Sequence, residues 1–196
     1  MKIYANADLH GDFKQLEKIK KKVKNCDVLI FAGDMTIFGQ DIDRIFSKIN
    51  KLGKPTLVLH GNHEELSEVK KMAKKYEHII NLHGKDFVIN NTLFIGHGGG
   101  GFSFVTKSFE KCREKFEKLA KSFNKVVFIT HQPPYDTNCD RIHGEKTGSK
   151  TYRAFIRKVQ PDLVITGHIH DNEGKRDKIR KSLIVNPSWQ GRFLRI

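Results

Sequence analysis

Ala7-Asp8-Leu9-His10-Gly11-Asp12 closes the first short apolar run of the chain, and the rest of the sequence is read outward from it. Lys2 to Ala7 has the apolar content of a strand, and Asp8 and His10 come after it two residues apart. At the end of a strand alternate side chains point the same way, so a carboxylate and an imidazole would reach toward one point. Gly11 lets the chain turn sharply. Asp12 can then cap a helix starting at Phe13, with Gln15 completing a capping box. Strand, metal-type ligands, tight turn and helix describe a site at the carboxyl end of a strand. Taken alone the pattern also fits an ordinary polar loop, so its meaning depends on the strands further along the chain.

Those strands repeat it. Phe13 to Lys24 reads as an amphipathic helix, apolar at Leu16, Ile19 and Val23. Asp27 to Ala32 is a short buried strand ending in Gly33-Asp34, and Asp41 to Leu52 is a helix with Ile42, Ile45, Phe46 and Ile49 inward. Thr56 to Leu59 is a strand ending in Gly61-Asn62-His63-Glu64, and a charged helix runs from about Glu65 to Tyr76. This βαβαβα rhythm implies parallel strands with right-handed crossovers. The rhythm then changes. Ile79 to Asn81, Asp86 to Ile89 and Leu93 to Gly96 read as strands, with Asn90-Asn91 as a hairpin turn. His97 and the glycines Gly98 to Gly101 read as a flexible loop rather than a phosphate cradle, since no helix starts directly after them. Thr106 to Phe123 is a long helix, and Val126 to Thr130 a buried strand ending at His131. Tyr135 to Gly148 is a long polar loop, and Lys150 to Val159 a helix. Asp162 to Thr166 is a strand ending in Gly167-His168-Ile169-His170, and Ser182 to Val185 and Arg192 to Ile196 complete the strands.

Composition bounds the reading. Hydrophobic residues make up 38% of the 196 and charged residues 30%, as in a globular protein. No apolar run approaches the ~20 residues of a membrane span. A strand at the very start leaves no room for a signal peptide, so the expected location is the cytoplasm. Cys26, Cys112 and Cys139 are odd in number and widely spaced, which fits reduced thiols. Cys112 falls on the apolar face of a helix, while Cys26 and Cys139 read as bystanders. The net charge of +14 admits affinity for nucleic acid, but the lysines cluster opposite apolar helix stripes, and solvated helix faces are the preferred reading. No aromatic-interleaved basic strip is visible.

Five strands therefore end in potential ligands: Asp8 and His10, Asp34, Asn62 and His63, His131, and His168 and His170. In open α/β sheets, sites form outside the carboxyl ends of strands. Oxygen and imidazole donors without thiolate suit Mn, Fe, Zn or Ni. The set is too large for one ion, and a bridging carboxylate would hold two ions roughly 3.5–4 Å apart.

In this order, Asp8-x-His10, Gly33-Asp34, Gly61-Asn62-His63-Glu64, His131 and Gly167-His168-x-His170 resemble the calcineurin-like metallophosphoesterase family over nearly the whole chain. The resemblance implies an α/β fold, a two-sheet αββα sandwich of mixed sheets flanked by helices, formed by residues 1–196 as one domain. It implies two divalent metal ions, Mn first and Fe, Ni or Zn as alternatives. Asp8, His10, Asp34 and His170 would hold one, and Asp34, Asn62, His131 and His168 the other, with Asp34 bridging. It further implies that His63 contacts the scissile phosphate or leaving group, paired with Glu64.

The implied activity is hydrolysis of small phosphodiesters, nucleotides among them, by in-line attack of a metal-bridging hydroxide. A metal-dependent phosphomonoesterase and a nuclease are the alternatives, the last drawing on the basic charge. A non-enzymatic scaffold on the same fold is a reading of another class, opposed by the retention of every ligand position. The expected partner is a small phosphoester, with neither membrane nor, by preference, nucleic acid; a homodimer is open. Substrate choice would lie in the Tyr135–Gly148 loop, where Asp140, Arg141 and His143 are substrate candidates, and His97 is another beside the glycine run. His143 followed by Gly148-Ser149 before a helix is similar to small prokaryotic phosphoesterases related to the Icc cyclic-nucleotide enzymes. Their Asn-Pro-Gly is Asn186-Pro187-Ser188 here.

Overall fold

The computed structural model describes all 196 residues. β1 (Lys2–Asn6), β2 (Val28–Ala32), β3 (Thr56–Leu59) and β4 (Ile79–Asn81) run parallel in that order. They are joined by α1 (Phe13–Lys22), α2 (Ile42–Asn50) and α3 (Leu66–Lys75). The chain then crosses to a second sheet. β5 (Lys85–Ile89) and β6 (Thr92–His97) form a hairpin whose turn residues, Asn90 and Asn91, both have positive φ. α4 (Lys107–Ala120) leads to β7 (Lys125–Thr130). A small hairpin, β8 (Arg141–Ile142) with β9 (Glu145–Lys146), precedes α5 (Lys150–Val159). β10 (Leu163–Ile165), β11 (Arg176–Ile179) and β12 (Ser182–Val185) finish that sheet, and β13 (Arg192–Arg195) returns antiparallel to β1. The sheets order as β13-β1-β2-β3-β4 and β11-β12-β10-β7-β6-β5.

Strand periodicity divides the core. Ile3, Ala5, Ile30 and Leu57 face Phe94, Val127 and Ile165 between the sheets. On the opposite strand faces, Leu29, Phe31 and Val58 lie under α1 to α3 with Leu16, Ile19 and Phe46. Phe128 and Val164 lie under α4 and α5 with Phe109, Phe116 and Phe155. Burial of both faces explains why β2 reads as an unbroken apolar run. The carboxyl ends of β1, β2 and β3 in one sheet and β7 and β10 in the other deliver their loops to one edge of the sandwich. No helix is long and apolar enough to cross a membrane.

Several sequence expectations change. Asp12 caps α1 by accepting the Gln15 N–H at 2.9 Å, but the Gln15 side chain donates to the Gln190 carbonyl instead of closing a capping box. Cys26 and Cys139 are buried in the two outer core layers, so they share the packing role expected of Cys112 alone. The polar loop from Tyr135 contains the β8–β9 hairpin. β11 was not expected, because its Arg-Asp-Lys-Ile sequence is polar and it only edges the sheet.

The outer aromatic layer gives a direct test of this packing. Phe128, fully buried, contacts Phe109, Tyr152 and Phe155 with ring centroids 5.6, 5.7 and 4.9 Å away. Phe128→Ala is expected to cost about 3–5 kcal/mol, read as a lower denaturant midpoint with unchanged m-value.

Candidate metal centre

The loops that bear the expected ligands are tied to one another by main-chain hydrogen bonds. The N–H groups of Asp8, His10 and Gly11 donate to the carbonyls of Gly33, Asp34 and Met35 at 3.1, 2.9 and 2.9 Å. Asp8 and His10 lie beyond β1 with φ of 56° and 45°, so left-handed turn geometry aims them, not the strand alternation expected from the sequence. The His168 N–H donates to both Asp8 oxygens at 3.0 Å, and the His63 N–H donates to Asp34 Oδ1 at 2.9 Å.

The side chains converge on Asp34. Ligand-type atoms of Asp8, His10 and His170 lie within 4.8 Å of one another, as do those of Asp34, His131 and His168, and those of His10, Asp34 and His63. His10 Nε2 and His170 Nε2 are 3.0 Å apart. Asn62 Oδ1 stands 3.1 Å from His131 Nε2 and 2.8 Å from His168 Nδ1. His131 Nδ1 donates to the Ala32 carbonyl at 2.8 Å, which turns Nε2 toward the cluster, 3.3 Å from Asp34 Oδ2. Asp8 and Asp34 are buried, yet their only ion-pair partners are histidines. Buried anionic oxygens and imidazole nitrogens facing one another, with no lysine or arginine between them, are a donor set that fits divalent cations.

Electrostatics agree. Burial opposes a charge on His131, but the Asp34 carboxylate beside it outweighs burial and holds the imidazole up at about 9. Burial likewise pushes Asp34 up, but His131 and the His63 N–H outweigh it and hold the carboxyl well below the usual range. Burial lowers His168 to about 4 and lowers His10, leaving both rings neutral at pH 7. Burial raises Asp8.

Glu64 does not orient His63. Its buried carboxylate accepts the N–H groups of Asp34, Thr36 and Gly61 at 3.1, 2.7 and 3.0 Å, and the Thr36 hydroxyl at 2.8 Å. It clamps the Asp34 and Asn62 loops together. The His63 ring is set by packing instead: it stacks on Phe38 with centroids 4.3 Å apart and meets the His10 ring edge at 4.7 Å. Its Nε2 is 3.9 Å from Asp34 Oδ2.

The four substrate candidates are not part of this cluster; Asp140 is buried within its own loop, accepting the N–H groups of Asp136, Thr137 and Gly148. His97 reaches the floor of a cleft of about 370 Å³ under the glycine run but is 2% exposed, with Nδ1 2.7 Å from the Tyr152 hydroxyl. It belongs to a row of rings, His60, His83 and His97, spaced 4.6 and 4.5 Å. Arg141 is engaged within its own loop, 3.2 Å from Asp136 and 3.8 Å from Asp140. His143 is exposed at the β8–β9 turn with φ of 49°.

Small residues beside the ligands have a steric role that the sequence reading did not assign them. A Cβ on Gly61 would strike Asp34, and one on Gly167 would lie 2.8 Å from Asp8 Oδ2, so the residue before each ligand must be small because another ligand occupies that space. Gly100 closes on the cluster in the same way: its Cβ would lie 2.7 Å from His131 Cδ2 and 3.0 Å from Asn62 Oδ1. Ser188 has φ of 69°, in the left-handed region that favours glycine, and its carbonyl accepts the Ala7 N–H at 3.3 Å.

The sequence matches the calcineurin-like phosphoesterase family over residues 1–172. It is 31% identical to protein MJ1162 of Methanocaldococcus jannaschii, across 99% of this chain and 91% of that protein. It is 28% identical to the UPF0046 protein K07C11.7 of Caenorhabditis elegans, across 89% of this chain and 65% of that protein. The fold is similar to that of TT1561 of Thermus thermophilus, with a TM-score of 0.77 at 19% identity, covering 95% of this chain and 88% of that one. It is also similar to a dimetal phosphatase of Danio rerio, with a TM-score of 0.70 at 11% identity, covering 94% and 86%.

Two measurements test this geometry. Glu64→Gln replaces a four-bond acceptor by an amide that turns N–H toward N–H, so metal-free protein is expected to lose about 1–3 kcal/mol in denaturant unfolding; unchanged stability would sink the clamp. The second concerns His97, which burial lowers from 6.5 to about 3. The unfolded chain takes this proton first, so the contribution is complete above pH 6.5 and is lost as pH falls toward 3. Over that window wild-type stability should fall more steeply than that of His97→Asn.

Proposed function

The chain belongs to the calcineurin-like phosphoesterase family, a family of phosphoric ester hydrolases, and we propose that it cleaves small phosphodiesters with two bound divalent cations. The observation that carries this reading is the pair of ligand groups, Asp8-His10-His170 and Asp34-His131-His168, meeting around Asp34. Asp8, His10, Asp34 and His170 would hold one cation, and Asp34, Asn62, His131 and His168 the other. Mn is the cation proposed, with Fe, Ni or Zn as substitutes. When bound, the pair would supply Lewis acidity at phosphorus and acidify water for attack at neutral pH.

The remaining work falls to the chain's own residues. Asp34 brings both groups together, and its position is fixed by the His63 N–H and by the Glu64 clamp behind its own N–H. The Ala32 carbonyl accepts from His131 Nδ1, so the proton a cation would displace from this ring is the one on Nε2. His63 stands on the Asp34 side of the mouth, where a proton on Nε2 can pass to the oxygen leaving phosphorus. Clefts of about 370 and 340 Å³ adjoin the cluster and leave room for a second ester group, which favours a diester over a monoester. Thirteen of the 27 lysines lie on the solvent faces of α1, α3 and α4, away from the cluster, which disfavours a nuclease.

The test is turnover of a chromogenic diester and its matching monoester by protein stripped of metal and refilled with Mn, Ni or Zn. Refilling should restore diester cleavage ahead of monoester cleavage, and Asp34→Ala should abolish it by at least on the order of 100-fold. A protein that binds no metal would overturn the reading.

A further inference from the structure

Two loops at the mouth of the cluster keep their largest apolar side chains in solvent. Ile37 and Phe38 come after Asp34, and Phe102, Phe104 and Val105 after the glycine run. These are five of the seven large apolar side chains that the fold leaves exposed. Isolated exposed apolar residues are ordinary, but a concentration around one cleft marks a surface with an occupant.

The rings differ in what they leave free. Phe38 is 78% exposed, with one face stacked on His63 at an interplanar angle of 27° and the other face open. Phe102 is 60% exposed and leans over His168, centroid to centroid 5.0 Å. Phe104 is already engaged, with Lys150 Nζ 4.8 Å from its centroid and Tyr135 at its edge. Phe38 and Phe102 therefore present unoccupied π-faces, each against a histidine of the cluster.

We propose that Phe38 and Phe102 stack on the planar ring of the substrate's organic group, making aryl or nucleoside phosphoesters the preferred class. The inference rests on the phosphoesterase reading, since it takes the phosphate to lie at the cluster between these residues. A planar ring is favoured over an acyl chain because a chain needs an enclosed apolar pocket. The clefts beside the cluster, about 370 and 340 Å³, are lined mainly by polar groups and glycine. Stacking needs only an open face, and it tolerates different rings because each has one.

The experiment is calorimetric binding to Mn-loaded protein of adenosine 5′-monophosphate, ribose 5-phosphate and dodecyl phosphate. The first two share phosphate and sugar, so any disturbance of His63 cancels in their ratio. Wild type should bind the nucleotide about 5- to 100-fold more tightly than the sugar phosphate. Phe38→Ala/Phe102→Ala should bring the ratio near one whatever it does to the affinity for ribose 5-phosphate itself, and Phe38→Trp should keep it. Equal binding by wild type, or a ratio that survives the double substitution, overturns the inference. So does dodecyl phosphate binding more tightly than the nucleotide. Failure of the phosphoesterase reading looks different: ribose 5-phosphate would then bind equally with and without metal.

Discussion

Asp8, Asp34 and Glu64 are buried at one edge of the sandwich, and none of the chain's 36 lysines and arginines pairs with them. Carboxylates out of water are costly unless they are hydrogen-bonded or face a cation. Here the hydrogen bonds come from the main chain of neighbouring ligand loops. His168 donates to Asp8, His63 to Asp34, and Asp34 and Gly61 to Glu64. Each bond that satisfies a carboxylate also fixes the loop that brings the next ligand. The precision of the cluster is thus a consequence of solvating its own anions.

That dependence explains what could be read in the sequence. β1, β2, β3, β7 and β10 were legible because strands buried on both faces are apolar along their whole length. Asp8, His10, Asp34, Asn62, His63, His131, His168 and His170 stood out because polar, ligand-type residues come directly after those strands. The role of Glu64 was not legible, because its partners are backbone groups that no residue type announces. The need for Gly61 and Gly167 was hidden for a related reason: the atoms they avoid belong to ligands 27 and 159 positions earlier in the chain. Phe38 lay in an unremarked loop, and only the folded chain brings it against His63.

The basic charge has a different character. Its ion pairs are mostly exposed, such as Lys48 with Glu17 and Lys75 with Asp43, and exposed pairs of this kind add little stability. Yet the lysines are not idle electrostatically. An anionic substrate approaching a protein of net charge +14 is attracted from a distance, while the cluster itself keeps cationic side chains out. Attraction and chemistry are supplied by different parts of the molecule.

The same division extends to backbone strain. Asp8, His10, Asp34 and His168 have φ of 56°, 45°, 51° and 73°, in the left-handed region that non-glycine residues seldom adopt. Conformations of this kind cost of order 1 kcal/mol or more each and persist only where surrounding contacts over-determine them. The Asp8–Gly33, His10–Asp34 and Gly11–Met35 hydrogen bonds, and the His168 N–H to the Asp8 carboxylate, do that here. Four residues that would individually prefer other backbone angles are therefore held in place by bonds between loops distant in sequence. Local preference and global fold agree along the strands and part company where the strands end, and the side chains able to do chemistry stand at that boundary.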